Sequence, residues 1–296
     1  MQSKGYYVLL KELQAARAWM HRKRIQTDNT RFDKIYEDIN LLCDRYSEGD
    51  IQKLSHEQID SCLTSLLDAD AYVTIHQAFS DLKDHKIPLR RIRESLHGPF
   101  KVNDEETSGS SIHGRDSLFE LHFAARIKLR GIDLTGFDDI SFVFQGVTFN
   151  VQCKRIHSLN RILKNFHDAC RQVTARSKTD LERGLIAFSI EKILGTEKDG
   201  WGVPDERYLR DLAKEEMDSF VKAHYRSWYG SVDTRILGVI VNFEYKAVVK
   251  NLGDLLTKGY ETVIVSLCQE SSLQYKDVHL IQELGKIITD KSKQWQ

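Results

Sequence analysis

"FDDISFVFQGVTFNVQCKR", residues 137–155, decides the fold. Two runs of alternating residues flank Gln145-Gly146. Period-two alternation around a two-residue loop is the pattern of a β-hairpin, and glycine at the second loop position accepts the positive φ of a type I′ turn. With that loop, Phe144 pairs with Val147, Val143 with Thr148, Phe142 with Phe149, Ser141 with Asn150 and Ile140 with Val151. Asp139 then faces Gln152, with Cβ atoms roughly 5 Å apart. Ile140, Phe142, Phe144, Val147, Phe149, Val151 and Cys153 share one face, which must pack into a core. Asp139, Gln152 and Lys154 share the other, so an acid, an amide and an ammonium group come together. The register favours Asp139 over Asp138, which falls opposite Cys153.

The rest of the chain bounds what this hairpin belongs to. Its 296 residues suit two domains, or one domain with a large appendage. Apolar residues make up 41% and charged residues 29%, a composition that can build an ordinary core. No apolar run approaches the roughly 18 residues of a membrane span, so no membrane partner is expected. The start "MQSKGYYVLLKELQAARAW" lacks a long apolar core and a small-residue cleavage site, and does not read as a signal peptide. Five widely spaced cysteines without C-x-x-C point to reduced thiols and a cytoplasmic location. The formal net charge is zero, which argues against a protein that coats nucleic acid non-specifically. Locally, residues 154–183 hold eight lysines and arginines against three acids, an excess of five positive charges.

The first third reads as helical. "FDKIYEDINLLCDRY" (32–46) is amphipathic, and Ser55 with Gln58 forms a capping-box pattern ahead of the apolar period Ile59, Leu63, Leu66, Leu67, Val73 and Phe79. "HRKR" (21–24) reads as a solvated helix end. Residues 101–115 are polar and rich in Ser and Gly, a linker or a loop near a site, with a domain boundary near 100. After 115 the pattern is mixed. Ser117–Arg130 reads as a helix stopped by Gly131, with Ser117 and Glu120 as a second capping box. A short strand at 132–134 precedes the hairpin. A helix over 158–177 follows, with Leu159, Ile162, Phe166, Ala169 and Val173 on one side. Strands are expected at 184–190, 235–245 and 262–268, with helices over 204–224 and 278–289. The expected class is α/β: an αβββαβ core with a mixed sheet in residues 101–296, preceded by an all-helical N-terminal domain, 1–100.

A helix with "FE", a strand with Asp, a strand ending "QCKR" and a helix with "ACRQVTAR" resemble the PD-(D/E)XK nuclease superfamily. The chain carries "GPF" at 98–100, "RDSLFELHFAARIKLRG" at 115–131, "DDI" at 138–140 and "VQCKR" at 151–155, covering about residues 98–190. Asp138 stands where proline is usual. Gln152 stands where Glu or Asp is usual; Mrr-type restriction enzymes are similar in using Gln-x-Lys. The resemblance implies a restriction-endonuclease-like fold and a bacterial restriction or anti-phage setting.

It also implies a site of Glu120, Asp139, Gln152 and Lys154. Phosphodiester hydrolysis at such a site needs Mg²⁺ or Mn²⁺, which takes oxygen ligands. Asp139 would supply an anionic ligand, Gln152 its amide oxygen, Cys153 its backbone carbonyl, and Glu120 a carboxylate, directly or through water. Lys154 would orient the attacking water and offset phosphate charge. Arg155, Arg161 and Lys164 are candidate phosphate contacts, on DNA or RNA. His157 and His167 read as surface histidines. A homodimer would give two sites for two strands, and the N-terminal helices could engage a protein partner. Gln152 and the neutral net charge also suit a rival reading, a nuclease-fold module that only binds nucleic acid or a protein partner.

Overall fold

The computed structural model describes residues 5–83, 87–101, 105, 112–136, 140–179, 181–194, 201–230, 232–268 and 275–289. Two compact units divide the chain. The first takes 1–125, 195–212 and 244–259; the second takes 126–194, 213–243 and 260–296.

Helices α1 (Tyr6–Arg22), α2 (Arg31–Glu48), α3 (His56–Phe79) and α4 (Leu89–Ser95) build the first unit. On α1, Tyr6, Leu9, Leu13, Ala16, Trp19 and Met20 recur at helical spacing and are buried. The "HRKR" cluster falls at the α1 C-terminus. Thr30 caps α2, its hydroxyl accepting from the Phe32 N–H at 3.2 Å, and Gly49 ends the helix in the left-handed region. The capping box of Ser55 and Gln58 forms at the start of α3. Helix α3 is buried on nearly all sides from Ser61 to Val73, so its polar residues need partners. Asp38 accepts from the hydroxyls of Ser61 at 2.7 Å and Ser65 at 2.8 Å, and Asp68 lies 3.6 Å from both Arg31 and Arg115. Later chain segments join the same unit. Tyr6 donates its hydroxyl to the Leu256 carbonyl at 2.7 Å, and Lys246 pairs with Asp60 at 3.3 Å.

The expected order of elements is observed: α5 (His113–Leu129), β1 (Leu134–Gly136), β2 (Ser141–Phe144), β3 (Val147–Arg155), α6 (Ile162–Arg176) and β4 (Glu182–Ser189). Then come β5 (Trp201–Val203), α7 (Glu206–Tyr229), β6 (Ile236–Val249), β7 (Leu255–Ser266) and α8 (Tyr275–Thr289). The strands form a mixed sheet in the order β1-β2-β3-β4-β6-β5, with β7 also paired to β6. β1, β2 and β3 are antiparallel neighbours; β3 with β4, and β4 with β6, are parallel. The pairs Phe144–Val147, Val143–Thr148, Phe142–Phe149 and Ser141–Asn150 form as the two-residue loop requires. Gln145 and Gly146 have φ of 48° and 79°.

Several expectations need correction. Helix α5 begins at His113, not Ser117. Ser117 is therefore inside the helix, where its hydroxyl donates to Glu94 at 3.1 Å, and no capping box forms with Glu120. The first strand lies at 134–136 rather than 132–134. Leu159 is exposed, because a 3-10 turn at Leu159–Arg161 precedes α6 and breaks the helical period. Of the expected linker, 102–104 and 106–111 lie outside the described residues, while Glu105 is buried and 3.7 Å from Arg115.

Candidate functional site on strand β3

Strand β3 alternates as its sequence dictates. Phe149, Val151 and Cys153 are buried, and Phe142 stacks on Phe149 with ring centres 5.3 Å apart. Asn150, Gln152 and Lys154 occupy the opposite face and are half-buried. That face is not open to water as a simple hairpin face would be, because α6 lies over it. A Cβ placed on Gly184, the β4 neighbour of Asn150, would come 2.3 Å from Val173 of α6. Just past the end of α6, the Ser177 hydroxyl accepts from the Asn150 side chain at 3.2 Å. The β4 neighbours of Gln152 and Lys154 are Ile186 and Phe188, both fully buried. Phe188 joins an aromatic cluster with Trp228, which also packs on Phe166 and Phe220. Parallel strands covered on both faces are ordinarily apolar on both. A polar stripe placed among such residues loses hydration and must find partners.

Gln152 finds them locally. Arg176, the last residue of α6, donates one Nη2 to the Gln152 Oε1 and to the Val151 carbonyl, each at 3.1 Å. Its Nε donates to the Gln172 carbonyl at 3.3 Å. Gln152 Nε2 in turn donates to the Cys153 carbonyl at 3.2 Å. The orientation of the amide follows from this network, since the reverse would aim its NH₂ at a guanidinium. On α6, Asp168 is held below the usual carboxylate range, first by a hydrogen bond from Arg171 and then by the charges of Arg171, Lys164 and Lys154.

The other expected site residues are placed as follows. Phe137–Asp139 lie outside the described residues, so the register reaches Ile140, whose carbonyl accepts from Val151 N at 2.8 Å. Glu120 lies on α5 in the first unit, where it pairs with Arg91 at 3.1 Å. In the same unit, Arg115 of the "RD" pair donates to the carbonyls of Pro99 and Phe100, tying that motif to "GPF". Arg161 and Lys164 are exposed. Arg155 is 9% exposed, because it shares the parity of Val151 and Cys153 and falls on the buried face.

Among the described residues, no three His, Cys, Asp or Glu side chains group as a metal cluster. The Gln152 amide oxygen and the Cys153 carbonyl are hard donors and fit Mg²⁺ in kind. As arranged, each already accepts a hydrogen bond. Sequence reasoning counted Arg176 only as part of a basic stripe. Its bond to Gln152 spans 24 residues and depends on α6 crossing the β3 polar face, which no local pattern announces. No family model, curated protein or solved structure matches the chain. No helix among the described residues is long and apolar enough to cross a membrane.

Proposed function

We propose that the chain is a Mg²⁺- or Mn²⁺-dependent endonuclease that hydrolyses DNA phosphodiester bonds, in a bacterial restriction or anti-phage setting. The observation that carries this reading is the stripe Asn150, Gln152 and Lys154, held at half-burial on β3 beneath α6 in an otherwise apolar parallel region. Keeping amide side chains there costs desolvation, and each takes a partner at the end of α6. The helix-and-strand order and the Gln-x-Lys spacing support the same reading.

In this proposal Gln152 Oε1, the Cys153 carbonyl and Asp139 would hold the cation. When bound, such a cation neutralises developing phosphate charge and makes its water more acidic. The Lys154 ammonium stabilises the negative charge that builds on the phosphoryl oxygens. The exposed Arg161 and Lys164, at the start of α6, would contact the phosphate backbone. Incubating the protein with plasmid and Mg²⁺ or Mn²⁺ tests this. Lys154→Ala should cut about 100-fold more slowly, the usual cost of losing one charge-stabilising donor. Equal cleavage by both proteins removes the reading.

A second reading is favoured by the Arg176 bonds themselves. A guanidinium on the Gln152 oxygen suits a nuclease-fold module that binds nucleic acid or a protein partner without cutting. Calorimetry separates the two: this reading requires DNA binding unaffected by Asp139→Ala and no heat from Mg²⁺ or Mn²⁺.

A further inference from the structure

We infer that the sheet face opposite Gln152 and Lys154 carries an oxyanion site at Arg126, which takes a phosphate group. The site does not depend on the nuclease reading above. In register across the parallel strands, Arg155 of β3 lies beside Ser189 of β4, and Ser189 beside Asn242 of β6. These residues are 9%, 8% and 3% exposed, and they share the parity of Val151 and Cys153. Thr262 of β7 extends the row, its hydroxyl bonded to the Asn242 Oδ1 at 3.1 Å. Parallel strands covered on both faces are ordinarily apolar at such positions. Arg155 and Ser189 are the last residues of β3 and β4, and the carboxyl ends of parallel strands are where open α/β sheets take their ligands.

Arg126 reaches this row from near the end of α5. Its Nη2 donates to the Thr262 hydroxyl at 2.7 Å and its Nη1 to the Asn242 Oδ1 at 3.4 Å. The Tyr260 ring faces the guanidinium, with its centre 3.9 Å from Cζ. The residue is 8% exposed, and its Nε is buried without a hydrogen-bond partner. Both acceptors are neutral, and no carboxylate among the described residues pairs with it. The aligned peptides of α5 offer only about half a negative charge at that helix end. A buried charge needs a counter-ion, and arginine cannot escape by shedding its proton.

The row is thus rich in donors and short of negative charge. A phosphate group supplies what is missing, because its oxygens match the planar fork of a guanidinium in paired, charge-assisted bonds. The Ser189 hydroxyl, next to Asn242 in the row, can donate to the same anion. Asn242 Nδ2 is committed to the Phe188 carbonyl at 3.3 Å, so the amide orients Arg126 rather than the ligand. Tyr260 and Thr262 are half-buried and form the rim by which an anion enters. Tyr260 also holds the guanidinium flat, so the fork is set before the ligand arrives. A free phosphate, a small phosphate ester and a DNA backbone all present this chemistry.

The experiment is a calorimetric titration of the full chain with inorganic phosphate at constant ionic strength, beside Arg126→Gln, with thermal melting in phosphate and in chloride. The parent should bind phosphate saturably and melt higher in phosphate than in chloride. Arg126→Gln should bind about ten- to a hundredfold more weakly, the scale of losing hydrogen bonds to a charged group. If Arg126→Gln does not melt in one transition, Tyr260→Leu replaces it and should weaken binding about fivefold, the scale of one cation–π contact. Adding a short DNA duplex separates the sources. Loss of the phosphate heat assigns the site to a nucleic-acid backbone, and undiminished heat assigns it to a free phosphate or small ester. No phosphate heat, no stabilisation beyond that of chloride, or equal binding by parent and variant overturns the site and leaves the nuclease reading untouched.

Discussion

Gln145 is the first residue of the two-residue turn between β2 and β3, and it sits at a φ of 48°. A type I′ turn needs positive φ at both central positions, which asparagine tolerates better than glutamine. Gln145→Asn should therefore raise stability by about 0.5–1 kcal/mol, read as a higher urea midpoint at unchanged slope. An unchanged or lower midpoint would sever the link between this turn and stability. At this scale the sequence was legible where parity and turn length act together. Four cross-strand pairs follow from Gln145-Gly146 alone. Glu120 shows the opposite case. Ser117-x-x-Glu120 matches a capping box, yet His113 to Asp116 extend the helix upstream, and the carboxylate is turned to Arg91 instead.

Between elements, the seating of α6 on the sheet depends on Gly184. The Val173 methyl lies where a Gly184 Cβ would need to be, and Ile236 closes in from the next strand, 3.1 Å from the same point. Valine is stiff about χ1, so neither neighbour yields easily. Gly184→Ala should destabilise the protein by about 1–3 kcal/mol, in the range of overpacked cores. Val173→Ala in the same chain should return part of that loss. A double variant no more stable than Gly184→Ala alone would show that another contact dominates. Most elements could be located from the sequence: α2 and α6 from a helical period, α3 from its capping box, the hairpin from alternation and β4 from a short apolar run. The three-residue β5 and the second half of β6 could not. "YKAVV" carries a lysine amid its apolar residues because Lys246 reaches Asp60 and Thr64, a partner set nearly two hundred residues away. Nor did alternation distinguish a face that meets water from one that meets α6.

For the whole molecule, acid sensitivity follows from two histidines. Burial lowers the pKa of His76, with the nearby Arg22 charge adding to it, and burial lowers that of His224, which packs against Phe220 and Trp228. Their folded forms resist protonation, so the unfolded chain binds protons first as pH falls. Stability from this source is complete above the ordinary imidazole value of 6.5 and declines below it. Urea midpoints between pH 7.5 and 5.5 should fall less for a His76→Gln, His224→Gln double variant than for the parent. Identical slopes would assign the acid loss to other groups. The carboxylates held low, Asp60, Asp168, Asp233 and Glu283, act only at lower pH and do not confuse this window.

The first unit is assembled from three separated stretches, and Tyr6, Asp60 and Asp70 bind groups on Leu256, Lys246 and Lys258. This sets a timetable for biosynthesis. At ~5–20 residues per second, the stretch from 126 to 243 takes about 6–24 s to emerge. For that interval the N-terminal helices exist without the strands that complete their core. The newborn chain must shelter the apolar faces of α1 and α3 for seconds, long after helix formation itself is over, which takes microseconds. A ribosome stalled before residue 244 would thus hold an N-terminal segment that is helical but not yet closed.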